Sequence, residues 1–153
     1  MKAGCPLPIT QGVNSAPNIL FIDDNPGDVQ LLEVAFADAG VASRLHTVSN
    51  AVKAFEFLSR RRSYLGMPSI DLILLDLNLP VFDGKMILRE LKKDPEWSRI
   101  PVVIFSSSES ENDRSDCEKL GATAYLVKPH HFDQFVEIVP RIVRYARGGM
   151  QPS

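Results

Sequence analysis

The sequence has little cysteine: only Cys5 and Cys117 occur, far apart in the chain. That leaves no basis for a disulfide framework, and both read as free thiols of a reducing cytoplasm. Long apolar runs are also missing. No stretch approaches the roughly 18 apolar residues that a membrane-spanning helix needs. The opening "MKAGCPLPITQGVNSAPN", broken by Pro6, Pro8, Gly12 and Pro17, lacks the apolar core of a secretion signal. Nor is there an excess of positive charge, since the formal net charge is −2. The one compact basic cluster, Arg60, Arg61 and Arg62, reads as a solvated helix end. Neither nucleic acid nor a membrane is therefore indicated as a partner.

What is present is material for one core. A chain of 153 residues, 44% hydrophobic and 24% charged, has the size and composition of a single globular domain. The expected division is an N-terminal tail over 1–17, one folded domain over 18–146 and a C-terminal tail over 147–153. Five apolar runs have strand length: 18–22, 43–48, 70–75, 100–105 and 123–127. Four are apolar almost throughout, as parallel strands covered on both faces should be, while "SRLHTV" at 43–48 alternates and suits an edge.

Helical spacing fills the intervals. Val29, Leu32, Phe36 and Ala39 mark a first helix, opened by Asn25 and Pro26 and closed by Gly40. Val52, Phe55 and Leu58 mark a second, and Met86, Ile87 and Leu91 a third. The fourth, "SENDRSDCEKLG", offers only Cys117 and Leu120 to the sheet and is expected to be weakly held. A fifth runs from near Phe132 through Phe135, Val139 and Ile142, with a kink expected at Pro140. This alternation predicts an α/β fold, a (βα)5 flavodoxin-like doubly wound parallel sheet with strand order 2-1-3-4-5.

In such sheets ligands bind beyond the carboxyl ends of the strands, where the strand order reverses. That rule selects Asp23 and Asp24 after the first strand and Asp76 after the third. Two carboxylates about 5 Å apart repel by roughly 3 kcal/mol at an effective dielectric near 20, so the group asks for a cation. Its hard oxygens, with room for water and a phosphate oxygen, suit Mg²⁺ better than zinc or copper. Strands four and five end on Ser106 and Lys128. Taken singly, each residue has a plainer reading: Asp24 or Asn25 as a helix cap, Asp76 as a turn former before Pro80, Ser106 as a cap, Lys128 as an exposed residue before Pro129. Four strand ends together favour phosphoryl chemistry. Asp76, with an ordinary carboxylate value near 3.9, would be ionised at neutral pH and able to attack a phosphoryl group without a base. Mg²⁺, Lys128 and the Ser106 hydroxyl would each take one phosphoryl oxygen.

The segments "FIDDN", "LILLDLNLPVFDG", "VVIFSSS" and "AYLVKP" resemble, in that order, the receiver domains of two-component response regulators. The resemblance covers roughly residues 18–146, and the intervals from Asp76 to Ser106 to Lys128 agree with that family's pattern. It implies that Asp76 is the phosphoacceptor, that Asp23 and Asp24 organise Mg²⁺, and that Asn78 adds its backbone carbonyl. It implies also a switch in which Ser106 is drawn inward and Tyr125 follows, and tuning of dephosphorylation by Asn78 and Ser108. A sensor histidine kinase is the implied donor.

"RRRSYLGMPS" and "LKKDPEWSRIP" resemble the single-domain regulators that work with phytochrome-type histidine kinases. No DNA-binding helix pair fits after Arg147, so output through contact with another protein is expected. Val136, Ile138 and Val143 exceed what one core face of the fifth helix requires and predict a homodimer involving that helix or the C-terminal segment. Trp97 reads as a packing anchor, and the adjacent His130 and His131 converge too poorly for a metal site. Two rivals are weighed. A haloacid-dehalogenase-like phosphatase carries its Asp-x-Asp nucleophile at the first strand, whereas Asp76 follows the third and has Asn78 two residues on. A flavodoxin-like binder of FMN would not place "DDNPGD" where a phosphate must sit.

Overall fold

Strand β1 (Asn18–Ile22) lies at the centre of the polypeptide's first pairings, with β2 (Arg44–Val48) on one side and β3 (Leu72–Leu75) on the other. Strands β4 (Val102–Ser106) and β5 (Ala124–Val127) complete a parallel sheet of order β2-β1-β3-β4-β5. These relations come from a computed structural model, which describes residues 16–60, 66, 68–79 and 81–148. The expectations for the two tails, for Cys5, and for Arg61, Arg62 and Pro80 fall wholly or partly outside those residues.

All but the first strand begin one or two residues later than their apolar runs. Pro101 has no N–H to give a ladder, and the Ile100 amide turns back to the Trp97 carbonyl at 3.0 Å, closing a short 3-10 turn (Trp97–Arg99). Both edges of the sheet are only half covered: β2 as its alternation implied, and β5 because nothing among the described residues pairs beyond it.

Alternate residues of each central strand feed two cores. One face, with Leu20, Ile22, Ile73, Leu75, Val102 and Ile104, packs on α2 (Ala51–Ser59), α3 (Gly84–Lys93) and α4 (Glu111–Lys119). The other, with Ile19, Phe21, Leu74, Val103 and Phe105, packs on α1 (Pro26–Ala39) and α5 (Phe132–Ala146). Phe105 meets Phe21 and Phe135 edge-on, each at 6.0 Å between ring centres. Such pairs add about 0.5–1.5 kcal/mol beyond the area they bury. Among the described residues no helix is long and apolar enough to cross a membrane.

Several expected faces are corrected. In α2 the buried residues are Ala51, Ala54 and Phe57, while Val52 is 57% exposed. The small alanines carry little hydrophobic signal, so the larger neighbours set the reading out of phase. Phe55 and Leu58 sit at the rim of the core, and Phe55 stacks on Trp97 at 5.4 Å, the packing role expected of that tryptophan. In α3, Leu88 is buried and Met86 lies outside. In α5, Val143 is 3% exposed and belongs to the second core, and Val136 and Ile138 pack against the same cluster. Much of the apolar excess of this helix is thus a broad core face, and Val143 is removed from the expected dimer surface. Pro140 lies within α5, which continues to Ala146.

The fourth helix is held by more than its apolar contacts. Cys117 is fully buried, and burial pushes its thiol up to about 11. Polar ties make up the rest: Lys85 Nζ of α3 reaches Asp113 Oδ1 at 2.7 Å and Asp116 Oδ2 at 2.9 Å on α4.

Candidate functional site

The parallel register brings the ends of β1 and β3 level, Ile22 opposite Leu75. The next residues are therefore neighbours. The Asp76 amide donates to the Ile22 carbonyl at 3.0 Å, and the Asp23 amide to the Val48 carbonyl at 3.1 Å. Asp23 and Asp76 are buried, at 2% and 4% exposure, while Asp24 is exposed. One carboxylate oxygen from each of the three lies within 4.8 Å of the others.

Local chemistry frees these acids for a ligand. The cap of α1 is Asn25, whose Oδ1 accepts from the Gly27 and Asp28 amides at 2.8 and 3.1 Å, with Pro26 starting the helix. Asp24 is thus not consumed as a cap. Asp23 Oδ1 accepts from the Asn25 amide at 2.9 Å, which fixes its carboxylate across the strand end. The Asn78 amide lies 3.4 Å from Asp76 Oδ1. Gly84, the first residue of α3, packs against the Asp76 carbonyl and Leu77 so closely that a Cβ would come within 2.7 Å of Leu77 Cα.

Strands β4 and β5 bring in the other partners. The Lys128 amide donates to the Ser106 carbonyl at 2.8 Å, which holds the two strand ends together. Lys128 Nζ donates to Asp23 Oδ2 at 2.8 Å and to Asp28 Oδ2 at 2.7 Å, and stands 3.5 Å from Asp76 Oδ2. Ser106 is fully buried, and its Oγ accepts from the Ser108 amide at 3.1 Å without using its own O–H.

Burial is the main reason that the Asp76 carboxyl is raised to about 6, with Asp23 adding to the effect and Lys128 opposing it. This corrects the expectation of an ordinary carboxylate. For Lys128 burial acts downward, but its hydrogen bonds to Asp23 and Asp28, with the charges of Asp76 and Asp23, together outweigh it and leave the ammonium above its usual value. Three hard carboxylates, one open to water, fit a divalent cation that keeps part of its hydration shell.

Asp23, Asp24, Asp76 and Lys128 therefore converge as expected, and Ser106 ends the adjoining strand. The dihistidine His130–His131 is exposed at the start of α5 and contributes to no cluster among the described residues. Sequence reasoning missed Asp28, the third residue of α1, whose position in a first turn reads as a favourable charge for the helix dipole. It also missed a polar network around Ser108. The Ser108 Oγ donates to Asp113 Oδ2 at 2.5 Å, and the Ser108 carbonyl accepts from the Tyr125 hydroxyl at 2.9 Å. Arg114 lies over the Tyr125 ring at 4.8 Å.

Residues 19–140 match the family described as the response regulator receiver domain. The chain is similar to the response regulator Rcp1 of Synechocystis sp., with 32% identity over 124 residues, 81% of this chain and 84% of Rcp1. It is similar in structure to the phosphorylated cyanobacterial phytochrome response regulator RcpA, with a TM-score of 0.79 and 34% identity over 91% of this chain and 100% of that one. The Mn²⁺-bound form of Rcp1 gives 0.74 at 31% identity over 84% and 93% of the two chains. RPA3017, a response regulator in red light signaling of R. palustris, gives 0.78 at 29% identity over 84% and 92%.

Proposed function

The chain belongs to the family of response regulator receiver domains, phosphoacceptors of two-component signalling, and on that premise we propose that Asp76 accepts the phosphoryl group. Asp23, Asp24 and Asp76, with the Asn78 backbone carbonyl, hold Mg²⁺; Lys128 and Ser106 serve the phosphoryl oxygens. What carries this reading is one juxtaposition: the buried carboxylate of Asp76 lies within 4.8 Å of two further acids and 3.5 Å from the ammonium of Lys128.

The donor is a phosphohistidine of a sensor kinase. The P–N bond breaks as an Asp76 carboxylate oxygen forms a P–O bond, and the imidazole leaves with the electron pair and takes up a proton. A divalent cation supplies neutralisation of one phosphoryl oxygen. Lys128 pairs with a second oxygen, and the Ser106 O–H turns to donate to a third. Burial raises the energy of the Asp76 carboxylate, so this nucleophile gains by acquiring cationic neighbours. The acyl phosphate so formed is longer and more highly charged than the carboxylate it replaces.

The kinase is of the phytochrome type. RcpA, similar to this chain over its whole length, is a phytochrome response regulator, and RPA3017 acts in red light signaling. The site is then loaded in the cytoplasm, and the signal leaves through α4, β5 and α5, the first two of which are tied together through Ser108 and Tyr125. Asn78, whose amide lies 3.4 Å from Asp76 Oδ1, and Ser108, bonded to Ser106, set how long the phosphoryl group survives. A homodimer through the fifth helix would use Val136 and Ile138, which stay half-buried, and not Val143, which is core.

The test is phosphotransfer from an autophosphorylated phytochrome-type histidine kinase and from an unrelated histidine kinase. Transfer that requires Mg²⁺, runs faster from the phytochrome type and stops in Asp76→Asn supports the reading. Equal rates from both kinases would remove the phytochrome pairing, and transfer that survives Asp76→Asn would remove the acceptor.

A further inference from the structure

The shortest contact of Lys128 is neither with the acceptor nor with a member of the acid cluster. It is the 2.7 Å bond to Asp28, a residue of the first turn of α1 whose amide is held by the Asn25 cap. Its side chain is 26% exposed, against 8% for Lys128. Asp23, the other short partner at 2.8 Å, is one of the three acids that fit a cation, whereas Asp28 stands outside that group.

This division matters because the two roles compete. A cation drawing on Asp23 and Asp76 takes electron density from the same oxygens that hold the ammonium. Asp28 keeps its full charge for Lys128. Its backbone is fixed by the cap and by the rigid helix behind it, so the place it gives the ammonium is fixed as well.

On the premise that Asp76 is the acceptor, we propose that Asp28 is a positioning residue. It holds the Lys128 ammonium at the outer side of the pocket, 3.5 Å from Asp76, where an incoming phosphoryl oxygen can meet it, and keeps it from closing onto the nucleophile. Without Asp28 the ammonium has Asp23 and Asp76 as its remaining close carboxylates. The ion pair with Asp76, long at 3.5 Å in the native chain, then shortens, which both blocks the attacking oxygen and competes with the cation.

The test uses the whole chain and a double-mutant cycle. In Asp28→Asn, calorimetric Mg²⁺ affinity is expected to fall by about tenfold, the usual scale for losing a supporting partner of a metal-site group. In a Lys128→Ala background the same substitution should change that affinity less than about twofold, because Asp28 acts through the lysine. A crystal structure of Asp28→Asn should show Lys128 Nζ moved in from 3.5 Å to about 2.8 Å from an Asp76 oxygen, and Asp28→Glu should restore part of the affinity. An equal loss of affinity in both backgrounds, or a Lys128 that keeps its distance from Asp76 in Asp28→Asn, would overturn the proposal. Circular dichroism of each variant separates these outcomes from unfolding. Because Mg²⁺ binding is read without phosphorylation, a failure here is distinct from a failure of Asp76 as acceptor, which Asp76→Asn reports in the transfer assay.

Discussion

The hydroxyl of Tyr125 donates to the backbone carbonyl of Ser108 at 2.9 Å, and the amide of the same Ser108 donates to Ser106 Oγ at 3.1 Å. The last strand is thus joined to the buried Ser106 hydroxyl through one residue. When Ser106 turns its oxygen toward a phosphoryl group, Ser108 loses a bond and Tyr125 loses a fixed partner. Structures with and without beryllofluoride, a phosphoryl mimic, should show the Tyr125–Ser108 contact broken and the ring turned inward when the mimic is bound. A Tyr125 that keeps one rotamer and its bond to Ser108 in both would contradict this coupling.

Lys85 joins α3 to α4 through Asp113 and Asp116, at 2.7 and 2.9 Å. Hydrogen bonding to Asp113, then to Asp116, holds the Lys85 ammonium above its ordinary value, and the bond from Lys85 holds the Asp113 carboxyl below its own. These groups remain partly exposed, so the pair contributes at most about 1 kcal/mol. Local order is the more sensitive readout. Lys85→Met should speed amide hydrogen exchange across residues 111–119 while leaving the five strands protected; unchanged exchange there would mean that Cys117 and Leu120 suffice to hold the helix.

The raised carboxyl of Asp76 gives a stability prediction with a definite sign. Its value moves from 3.8 to about 6 on folding, so between those values the folded chain binds the proton more tightly than the unfolded one. The stability so gained is full below about pH 4 and is lost as pH rises through 6. Asp76→Asn removes the penalty. Measured by denaturant without divalent cation, it should be more stable than the parent by about 1–3 kcal/mol at pH 8, with the gap closing near pH 4. A gap independent of pH would show that burial of the charge is not its cause.

Gly84 has no room for a side chain against the Asp76 carbonyl and Leu77. Gly84→Ala forces one backbone away from the other, because neither neighbour is a flexible side chain. A stability loss of about 1–3 kcal/mol is expected, together with weaker Mg²⁺ binding from the displaced Asp76. Thermal unfolding and cation titration check both parts, and wild-type values would mean that the α3 start can shift freely.

The sheet was legible because strands buried on both faces are written as nearly unbroken apolar runs, and because β2, at the edge, alternates. The acids were legible because each ends such a run. Where the sequence misled, the cause was size or distance. Ala51 and Ala54 bury the inner face of α2 with little hydrophobic signal, while the larger Val52 points outward. Val143 looked like surplus but is needed by a core contributed from α1 and four strands. Asp28 and Lys85 were invisible as functional residues because their partners, Lys128 and Asp113, lie far along the chain. No periodicity reports such pairings. The elevated Asp76 carboxyl followed from burial that only the fold reveals.

The most direct measurement is the chemical location of the phosphoryl group. After transfer from a histidine kinase in Mg²⁺, the chain should carry one hydroxylamine-labile acyl phosphate, recovered on the peptide containing Asp76 and absent from Asp76→Asn. A stable phosphate ester, or an acyl phosphate on Asp23, Asp24 or Asp28 in the native chain, would contradict the account.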